Sequence, residues 1–334
     1  MDIRRQFPNV HWISRGGISF VYEVHPRIAL KVPKSGEFER EHFDKELEIY
    51  RIFSQNPPCR SIVQCFLISG NGIFLEYMRD MSLFHRIQEN HILDRQTMVV
   101  TKVEKLVPLP PRKEWMNDLA QAVAFLESLN LAHGDLRPEN ILLDRDRLKL
   151  SDFDSAAKIG TKYEACMAPY GRIFNNNETD QGNRGTPGFL GSRTEQFALG
   201  SLYYLINYGF EVYGDRCLTD DPYDHGPKVV DLLQNMDFPK LDGNPLIDKI
   251  ISKCWHNQYV TVAELALDTK WLLNEGTEAE GSNGVGNREE GNREEFLWQK
   301  EFCQDLERRR LLDLLSSGEP EQIGFTFDWY RHSI

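Results

Sequence analysis

Apolar and polar side chains alternate along residues 10–33, which are also rich in β-branched and aromatic residues. Successive side chains of a strand point to opposite faces of a sheet, so this pattern predicts a β-hairpin. Residues 20–24 and 28–32 are its strands, and Pro26 lies in the turn between them.

A second hairpin and one helix complete the first 78 residues. The apolar runs 62–68 and 72–78 flank a Gly-Asn-Gly turn, which predicts the second hairpin. Residues 37–53 carry apolar side chains at helical spacing among charged ones, which predicts an amphipathic helix between the two hairpins.

Helical periodicity dominates the chain after residue 79. The segments with apolar positions at helical spacing are 114–129, 194–208, 228–236, 246–254 and 262–273. A β-rich segment followed by a run of helices predicts an α+β fold with a small β-rich lobe and a larger helical lobe.

The composition changes abruptly at Glu275. Residues 275–295 are polar, acidic and glycine-containing, which predicts a flexible acidic linker. Residues 296–334 form a C-terminal tail, in which 296–315 regain helical periodicity through apolar side chains including Leu297, Phe302, Leu306 and Leu312. We expect this helix to dock on the chain's own folded domain or on an unknown partner. A linker of about twenty residues reaches on the order of 25 Å, which favours docking within the chain.

Composition and charge narrow the class of protein. A chain of 334 residues with 40% hydrophobic content can bury a sizeable core. The net charge of −12 argues against nucleic-acid and membrane partners. The six cysteines lack Cys-x-x-Cys and zinc-site spacings, and neither a signal-peptide pattern nor a bilayer-spanning run is present. We therefore expect a soluble intracellular protein of the cytoplasm or nucleus.

The most specific chemical signal is His-Gly-Asp-Leu-Arg-Pro-Glu-Asn at 133–140, followed by Asp-Phe-Asp at 152–154. Phosphoryl transfer needs one carboxylate that orients and deprotonates the attacking hydroxyl. It also needs an amide oxygen and a second carboxylate that hold Mg²⁺ on the phosphates. Asp135 is the candidate for the first carboxylate, and Asn140 and Asp152 are the candidates for the amide oxygen and the second carboxylate.

These two motifs resemble the catalytic and magnesium loops of eukaryotic-type protein kinases, especially small divergent kinases of filamentous fungi. The resemblance runs from about residue 12 to residue 273. It implies a two-lobed α+β kinase fold, with an N-lobe at 1–78 and a C-lobe at 79–274. It also implies ATP and Mg²⁺ as cofactors and the Ser/Thr hydroxyls of protein substrates as acceptors.

The same resemblance assigns roles around the transferred phosphate. Ile-Ala-Leu-Lys at 28–31 resembles the Val-Ala-Ile-Lys strand, which makes Lys31 the cation for the α/β-phosphates. Glu46 is in register with the family's ion-pair glutamate, whereas Glu48 should face away from it. Arg137 occupies the place of a phosphate-contacting lysine. Thr186 favours Ser/Thr specificity through a hydrogen bond to the catalytic loop.

The nucleotide site is implied by weaker motifs. Ser-Arg-Gly-Gly-Ile-Ser-Phe-Val at 14–21 occupies the place of the glycine-rich loop, although serines replace its outer glycines. Its backbone N–H groups can still approach phosphate at the two glycines. Leu-Glu-Tyr-Met at 75–78 resembles the hinge that meets the adenine edge. The resulting nucleotide-binding set is Gly16, Gly17, Val21, Ala29, Lys31, Glu76, Met78 and Leu142.

Several positions depart from the family pattern. Gly134 replaces the arginine that reads a phosphorylated activation loop, so we expect activity without that phosphorylation. Asp154 replaces the glycine of Asp-Phe-Gly, which adds a carboxylate beside the metal. The Ala-Pro-Glu motif and the arginine that pairs with it after Trp255 are both missing, which is less damaging than one unpaired buried charge. Glu195 stands where an aspartate supports the catalytic loop.

Three functions are compatible with the sequence. The first is an active protein kinase, because all the groups that touch nucleotide, metal and hydroxyl are present. The second is a pseudokinase that serves as a binding scaffold, motivated by the altered glycine loop, Asp-Phe-Asp and the missing Ala-Pro-Glu. The third is a small-molecule kinase similar to aminoglycoside phosphotransferases. The Gly-Thr-Pro-Gly segment at 185–188 and Cys254-Trp255 argue against this third function, because they resemble the peptide-positioning half of protein kinases.

Overall fold

The structure is a computed structural model that describes residues 3–163, 167–174, 185–274 and 286–326. The chain divides into two units. The first comprises Met1–Arg79, Asp152–Asp154 and Glu278–Ile334, and the second comprises Asp80–Ser151 and Ser155–Thr277.

An antiparallel sheet of five strands forms the centre of the first unit. In chain order, its elements are α1 (Ile3–Gln6), β1 (His11–Arg15), β2 (Ser19–His25), β3 (Ile28–Pro33), α2 (Glu37–Ser54), β4 (Cys65–Ser69) and β5 (Gly72–Glu76). The strand order is β1-β2-β3-β5-β4. Both predicted hairpins and the predicted helix are confirmed, although β4 begins later than the apolar run that predicted it.

Side chains alternate between the two faces of β3. Ile28, Leu30 and Val32 belong to one large apolar cluster. Ala29 belongs to a separate small cluster with Ile13, Val21 and Tyr77. Because side chains two residues apart share a face, Lys31 lies on the same face as Ala29. The strand thus presents its lysine on one side and its apolar core residues on the other.

α-Helices are the main secondary structure of the second unit. They are α3 (Leu83–Gln88), α4 (Leu109–Ser128), α5 (Ser192–Tyr208), α6 (His225–Gln234), α7 (Pro245–Trp255) and α8 (Val262–Asn274). All five predicted helices are present, and α4 begins before residue 114 because Pro110 and Pro111 fit the first turn of a helix. α5 is buried along most of its length, and its Gly200 lets Cys254 and Trp255 of α7 approach its backbone.

Short strands in the second unit were not predicted. They are β6 (His91–Leu93), β7 (Val100–Val103), β8 (Leu131–Ala132), β9 (Ile141–Asp144), β10 (Arg147–Leu150) and β11 (Ala157–Lys158), which pair as three two-stranded sheets. Strands of two to four residues are too short for a periodic pattern to emerge. Within the described residues, no helix combines the length and apolarity needed to cross a bilayer.

The C-terminal tail forms two helices in the first unit, α9 (Gly286–Arg308) and α10 (Leu311–Leu315). Cys303, Leu306, Leu311, Leu312 and Leu315 are buried in the same apolar cluster as the core residues of β2 and β3. The tail therefore supplies part of the core on one face of the sheet.

Two expectations for the tail need correction. The helix begins at Gly286 rather than at 296, so residues 286–295 of the predicted linker are helical, and 275–285 lie outside the described residues. Residues 286–295 are two copies of Gly-Asn-Arg-Glu-Glu, whose arginines and glutamates are good helix formers and offset the glycines. Leu297 is 50% exposed and is not part of the buried face, which instead includes Gln299, Cys303 and Leu306 at helical spacing.

Candidate active site

Lys31 lies between two carboxylates in the first unit. Its Nζ is 2.6 Å from Oε2 of Glu46 and 2.6 Å from Oδ1 of Asp152. β3 supplies the lysine and α2 supplies the glutamate, and both side chains are buried. The predicted ion pair is therefore present, and Glu48 faces solvent, where it pairs with Arg51.

Electrostatics keep this lysine charged. Burial acts to lower the pKa of Lys31, but the carboxylates of Asp152 and Glu46 outweigh burial and raise the pKa above its ordinary value. Burial also raises the pKa of Glu46, with Lys31 opposing and Asp152 and Asp154 adding to the rise. One ammonium thus faces an excess of carboxyl groups, an environment that favours a further cation.

The Asp-Phe-Asp segment is fixed to α2 by its middle residue. Phe153 is fully buried and packs edge-to-face on Tyr50 and Phe53, with ring centroids 5.5 Å and 5.1 Å apart. Its backbone N–H donates to Oε1 of Glu46 at 3.4 Å. Asp152 has φ of 64°, a left-handed conformation that aspartate tolerates better than most residues. Packing of Phe153 therefore holds the neighbouring carboxylate in place.

The proposed base belongs to the catalytic loop of the second unit. Nδ2 of Asn140 donates to Oδ2 of Asp135 at 3.0 Å and to the backbone oxygen of Asp135 at 2.9 Å. Nε of Arg137 is 3.2 Å from Oδ2 of Asp135. The loop thus brings together three predicted site residues, and these contacts orient the carboxylate of Asp135.

Buried polar side chains form hydrogen bonds with the backbone of this loop and of the neighbouring Ser151. His133 is fully buried, with Nε2 3.0 Å from the backbone oxygen of Ser151, while Nδ1 accepts from the backbone N–H of Asp135 at 3.3 Å. Glu195 accepts from the backbone N–H groups of His133 at 2.8 Å and Gly134 at 3.3 Å. Burial raises the pKa of Glu195 while His133 opposes the rise. The sequence pointed to Glu195, but gave no signal for the anchoring role of His133.

Gly134 occupies a position that disfavours any side chain. Its φ is +77°, and a Cβ at this position would lie 2.9 Å from the backbone oxygen of Ser155. The glycine that replaces the family's arginine is therefore also a backbone requirement of this loop.

We expect Gly134→Ala to destabilise the protein more than Gly160→Ala. Both glycines have positive φ, so both substitutions strain the backbone by about 1–2 kcal/mol. Only Gly134 also meets a backbone oxygen, because nothing lies within 4 Å of a Cβ at Gly160. Urea unfolding of the two variants measures the difference, and equal free energies of unfolding would contradict the predicted clash.

The predicted phosphate loop lies between β1 and β2. Gly16 donates its N–H to the backbone oxygen of Ser19 at 2.9 Å, and Nζ of Lys34 donates to the backbone oxygen of Gly17 at 2.7 Å. Neither glycine has a positive φ, and a Cβ at Gly17 would meet nothing within 4 Å. Gly17 therefore leaves open space beside the backbone, which a phosphate approaching the N–H groups needs.

The predicted adenine-binding residues fall into both units. Val21 and Ala29 pack together with Ile13 and Tyr77 on the lysine face of the sheet. Glu76 ends β5, and Met78 is buried just beyond it. Leu142 lies on β9 in the second unit and is partly buried. Their shared role in nucleotide binding stays a prediction.

The segment between the magnesium motif and α5 is only partly described. Thr186 is partly buried, and its hydrogen bond to the catalytic loop stays a prediction. Residues 164–166 and 175–184 lie outside the described residues. A cavity of about 590 Å³ is lined by Gly191 and Ser192 on one side and by Asn257 and Gln258 on the other. These are the two segments in which the glutamate and the arginine of the family's ion pair are missing.

The donor chemistry of two predicted metal ligands suits Mg²⁺. The amide nitrogen of Asn140 faces Asp135, which leaves the amide oxygen as its cation-binding atom. Asp152 offers a carboxylate whose side chain is 38% exposed. Both are oxygen ligands, which magnesium prefers together with water and substrate phosphates. No cluster of three or more His, Cys, Asp or Glu among the described residues resembles a metal site that protein side chains complete alone.

Comparison with known proteins matches most of this chain to one protein family. The family model described as "Protein kinase domain" matches residues 11–255. MAP kinase-activated protein kinase 2 of Cricetulus longicaudatus is 32% identical over 252 residues, which cover 69% of this chain and 68% of that protein.

Other relatives are longer than this chain. Serine/threonine-protein kinase ppk24, mitochondrial, of Schizosaccharomyces pombe is 34% identical over 105 residues, 31% of this chain and 20% of that protein. The probable serine/threonine-protein kinase gdt2 of Dictyostelium discoideum is 24% identical over 261 residues, 73% of this chain and 14% of that protein. The matched regions thus span a fifth or less of these two relatives.

Proposed function

Because the chain belongs to the protein kinase domain family, we propose that it transfers the γ-phosphoryl group of Mg-ATP to Ser/Thr hydroxyls of proteins. The observation that carries this proposal is the contact of Lys31 with both Glu46 and Asp152. Lys31 and Glu46 are buried and Asp152 is partly exposed, so this group carries one more carboxylate than ammonium, an excess of negative charge that a bound cation would offset.

Each residue has a role in the proposed reaction. Lys31, held by Glu46, binds the α/β-phosphates, and Asp135 orients and deprotonates the acceptor hydroxyl. Magnesium, when bound, neutralises charge on the phosphates, and the oxygens of Asn140 and Asp152 are its proposed ligands. Arg137 contacts the transferring phosphoryl group, and Thr186 favours Ser/Thr acceptors. Gly16, Gly17 and the apolar residues of the proposed slot bind the rest of the nucleotide.

We expect Mg-ATP to stabilise the protein through Asp152. At an ATP concentration a hundredfold above Kd, binding adds about 2.7 kcal/mol to the free energy of unfolding. Thermal-shift titration with ATP, with and without magnesium, should show a magnesium-dependent rise of Tm. Asp152→Ala should remove the magnesium-dependent part, whereas Asp44→Ala on the exposed side of α2 should retain it.

A rise of Tm that persists unchanged in Asp152→Ala would contradict the metal assignment. The pseudokinase alternative is favoured by the extra carboxylate of Asp154 near Glu46, and it predicts Mg-ATP binding without turnover. The small-molecule kinase predicts turnover with aminoglycosides but none with peptides. Offering both acceptor classes to the same preparation separates these alternatives.

A further inference from the structure

Arg15 lies at the base of the proposed phosphate loop. It is the last residue of β1 that pairs with β2, where it faces Phe20. The four residues between them, 16–19, form the loop, which closes through the hydrogen bond from Gly16 to Ser19. Arg15 directly precedes Gly16 in the chain, so the position of Arg15 sets where the first glycine of the loop begins.

The C-terminal tail holds the guanidinium of Arg15. Nη2 of Arg15 lies 2.8 Å and 2.9 Å from the two carboxylate oxygens of Glu321, and 3.5 Å from Oε2 of Glu319. The same guanidinium lies over the rings of Trp12 and Phe20, 5.4 Å and 5.3 Å from their centroids. The rings of Trp12 and Phe20 and the carboxylates of Glu319 and Glu321 thus hold the guanidinium of Arg15 in place.

Apolar contacts of the tail reach β2 and β5. Phe325, four residues after Glu321, packs on Tyr22 of β2 with ring centroids 5.3 Å apart. Leu312 packs against Gly72 of β5, where an added Cβ would lie 2.4 Å from its Cδ2 atom and 3.3 Å from the backbone oxygen of Lys31. The tail therefore packs on β2 and β5, in the same apolar cluster as Leu30 of β3 and hence on the sheet face opposite Lys31.

We propose that Glu321, acting through Arg15, is a positioning residue for the phosphate-binding loop, so that nucleotide affinity depends on the C-terminal tail. This inference rests on the proposed function of the site. The loop has serines in place of the outer glycines, and its strands must still present Gly16 and Gly17 to phosphate. The carboxylate of Glu321 fixes the Arg15 end of β1 and thereby the entrance to the loop.

The chain offers a matched control for this ion pair. Arg27, in the turn between β2 and β3, pairs with Glu295 of α9. Both ion pairs join the tail to the sheet, and all four side chains are about half exposed. Arg27 lies at the opposite end of β2 from the loop. Glu295→Gln thus weakens the same kind of contact without touching the loop.

The test compares steady-state kinetics and Mg-ATP binding of the full chain with those of Glu319→Gln/Glu321→Gln and Glu295→Gln. We expect the double variant to raise the KM for ATP about fivefold, equivalent to about 1 kcal/mol, with the KM for peptide unchanged. Glu295→Gln should match wild type. Tm without nucleotide should stay close to that of wild type in both variants, because exposed ion pairs contribute little to folding.

A charge exchange provides the second measurement. Arg15→Glu should weaken ATP binding further, because it opposes Glu319 and Glu321. Adding Glu321→Arg to Arg15→Glu should recover part of the loss, although Glu321→Arg alone is harmful. Three results would overturn this inference, provided that wild type binds Mg-ATP. The first is a KM for ATP that Glu319→Gln/Glu321→Gln leaves unchanged, and the second is an equal rise of this KM in Glu295→Gln. The third is no recovery of ATP binding when Glu321→Arg is added to Arg15→Glu. Absence of Mg-ATP binding in wild type would overturn the proposed function itself.

Discussion

Asp135→Asn is expected to reduce phosphoryl transfer at least a hundredfold while leaving Mg-ATP binding intact. A positioned general base contributes about 10²–10⁴ to rate, and asparagine cannot accept the hydroxyl proton. Asparagine has nearly the shape of aspartate and keeps a side-chain oxygen that can accept from Nδ2 of Asn140, so the proposed magnesium ligand should keep its place. Initial rates with a peptide acceptor and thermal shift with Mg-ATP measure the two effects separately.

Asp146→Asn is the matched control for this experiment. Asp146 is an exposed aspartate between β9 and β10 of the same unit, and its side chain has no proposed role. We expect wild-type rates from it. If Asp135→Asn retained more than a tenth of the wild-type kcat, Asp135 would not be the base, and another group would have to orient the hydroxyl.

A chain that ends at Asn274 is expected to lose the stability of the first unit. The cut removes five buried apolar residues of α9 and α10, and Phe325, from the cluster that also contains Leu30 and Tyr22. Loss of one buried leucine side chain costs about 2–5 kcal/mol, and whole domains are stable by only about 5–15 kcal/mol. Thermal melting should show a transition at much lower temperature, with increased binding of an apolar dye.

Single substitutions test the contribution of the tail to stability without removing a segment. Leu312→Ala should lower the free energy of unfolding by about 2–5 kcal/mol, because its side chain is buried against Gly72. Leu297→Ala on α9 should change it by less than about 0.5 kcal/mol, because that side chain is half exposed. Equal effects of the two variants, or a truncated chain that melts like the full one, would show that the tail is not part of the core.

Periodicity predicted the elements that bury one face over several turns. The helices 37–53 and 262–273 and both hairpins of the sheet were predicted for this reason, since their apolar positions repeat regularly. The start of α9 was not predicted, because residues 286–295 carry no apolar stripe and their helical structure depends on propensity alone. Leu297 was assigned to the buried face because spacing alone does not fix which neighbouring position points inward.

The candidate site was predictable where its residues are close in sequence or belong to an ordered motif. Asp135 and Asn140 are five residues apart, and their contact follows from the loop they share. The ion pair of Lys31 and Glu46 was expected from a family resemblance. The contact of Arg15 with Glu321 was not expected, because two charges 306 positions apart leave no local pattern. Long-range ion pairs depend on the complete fold.

The most direct test of the proposed function is phosphate transfer from labelled Mg-ATP to a Ser/Thr peptide library by the wild-type chain of 334 residues, with Asp135→Asn as the blank. Mass spectrometry identifies the modified residues. The proposed function predicts magnesium-dependent phosphoserine or phosphothreonine that is absent from the Asp135→Asn reaction. Mg-ATP binding without any labelled peptide, or equal labelling by wild type and Asp135→Asn, would contradict it.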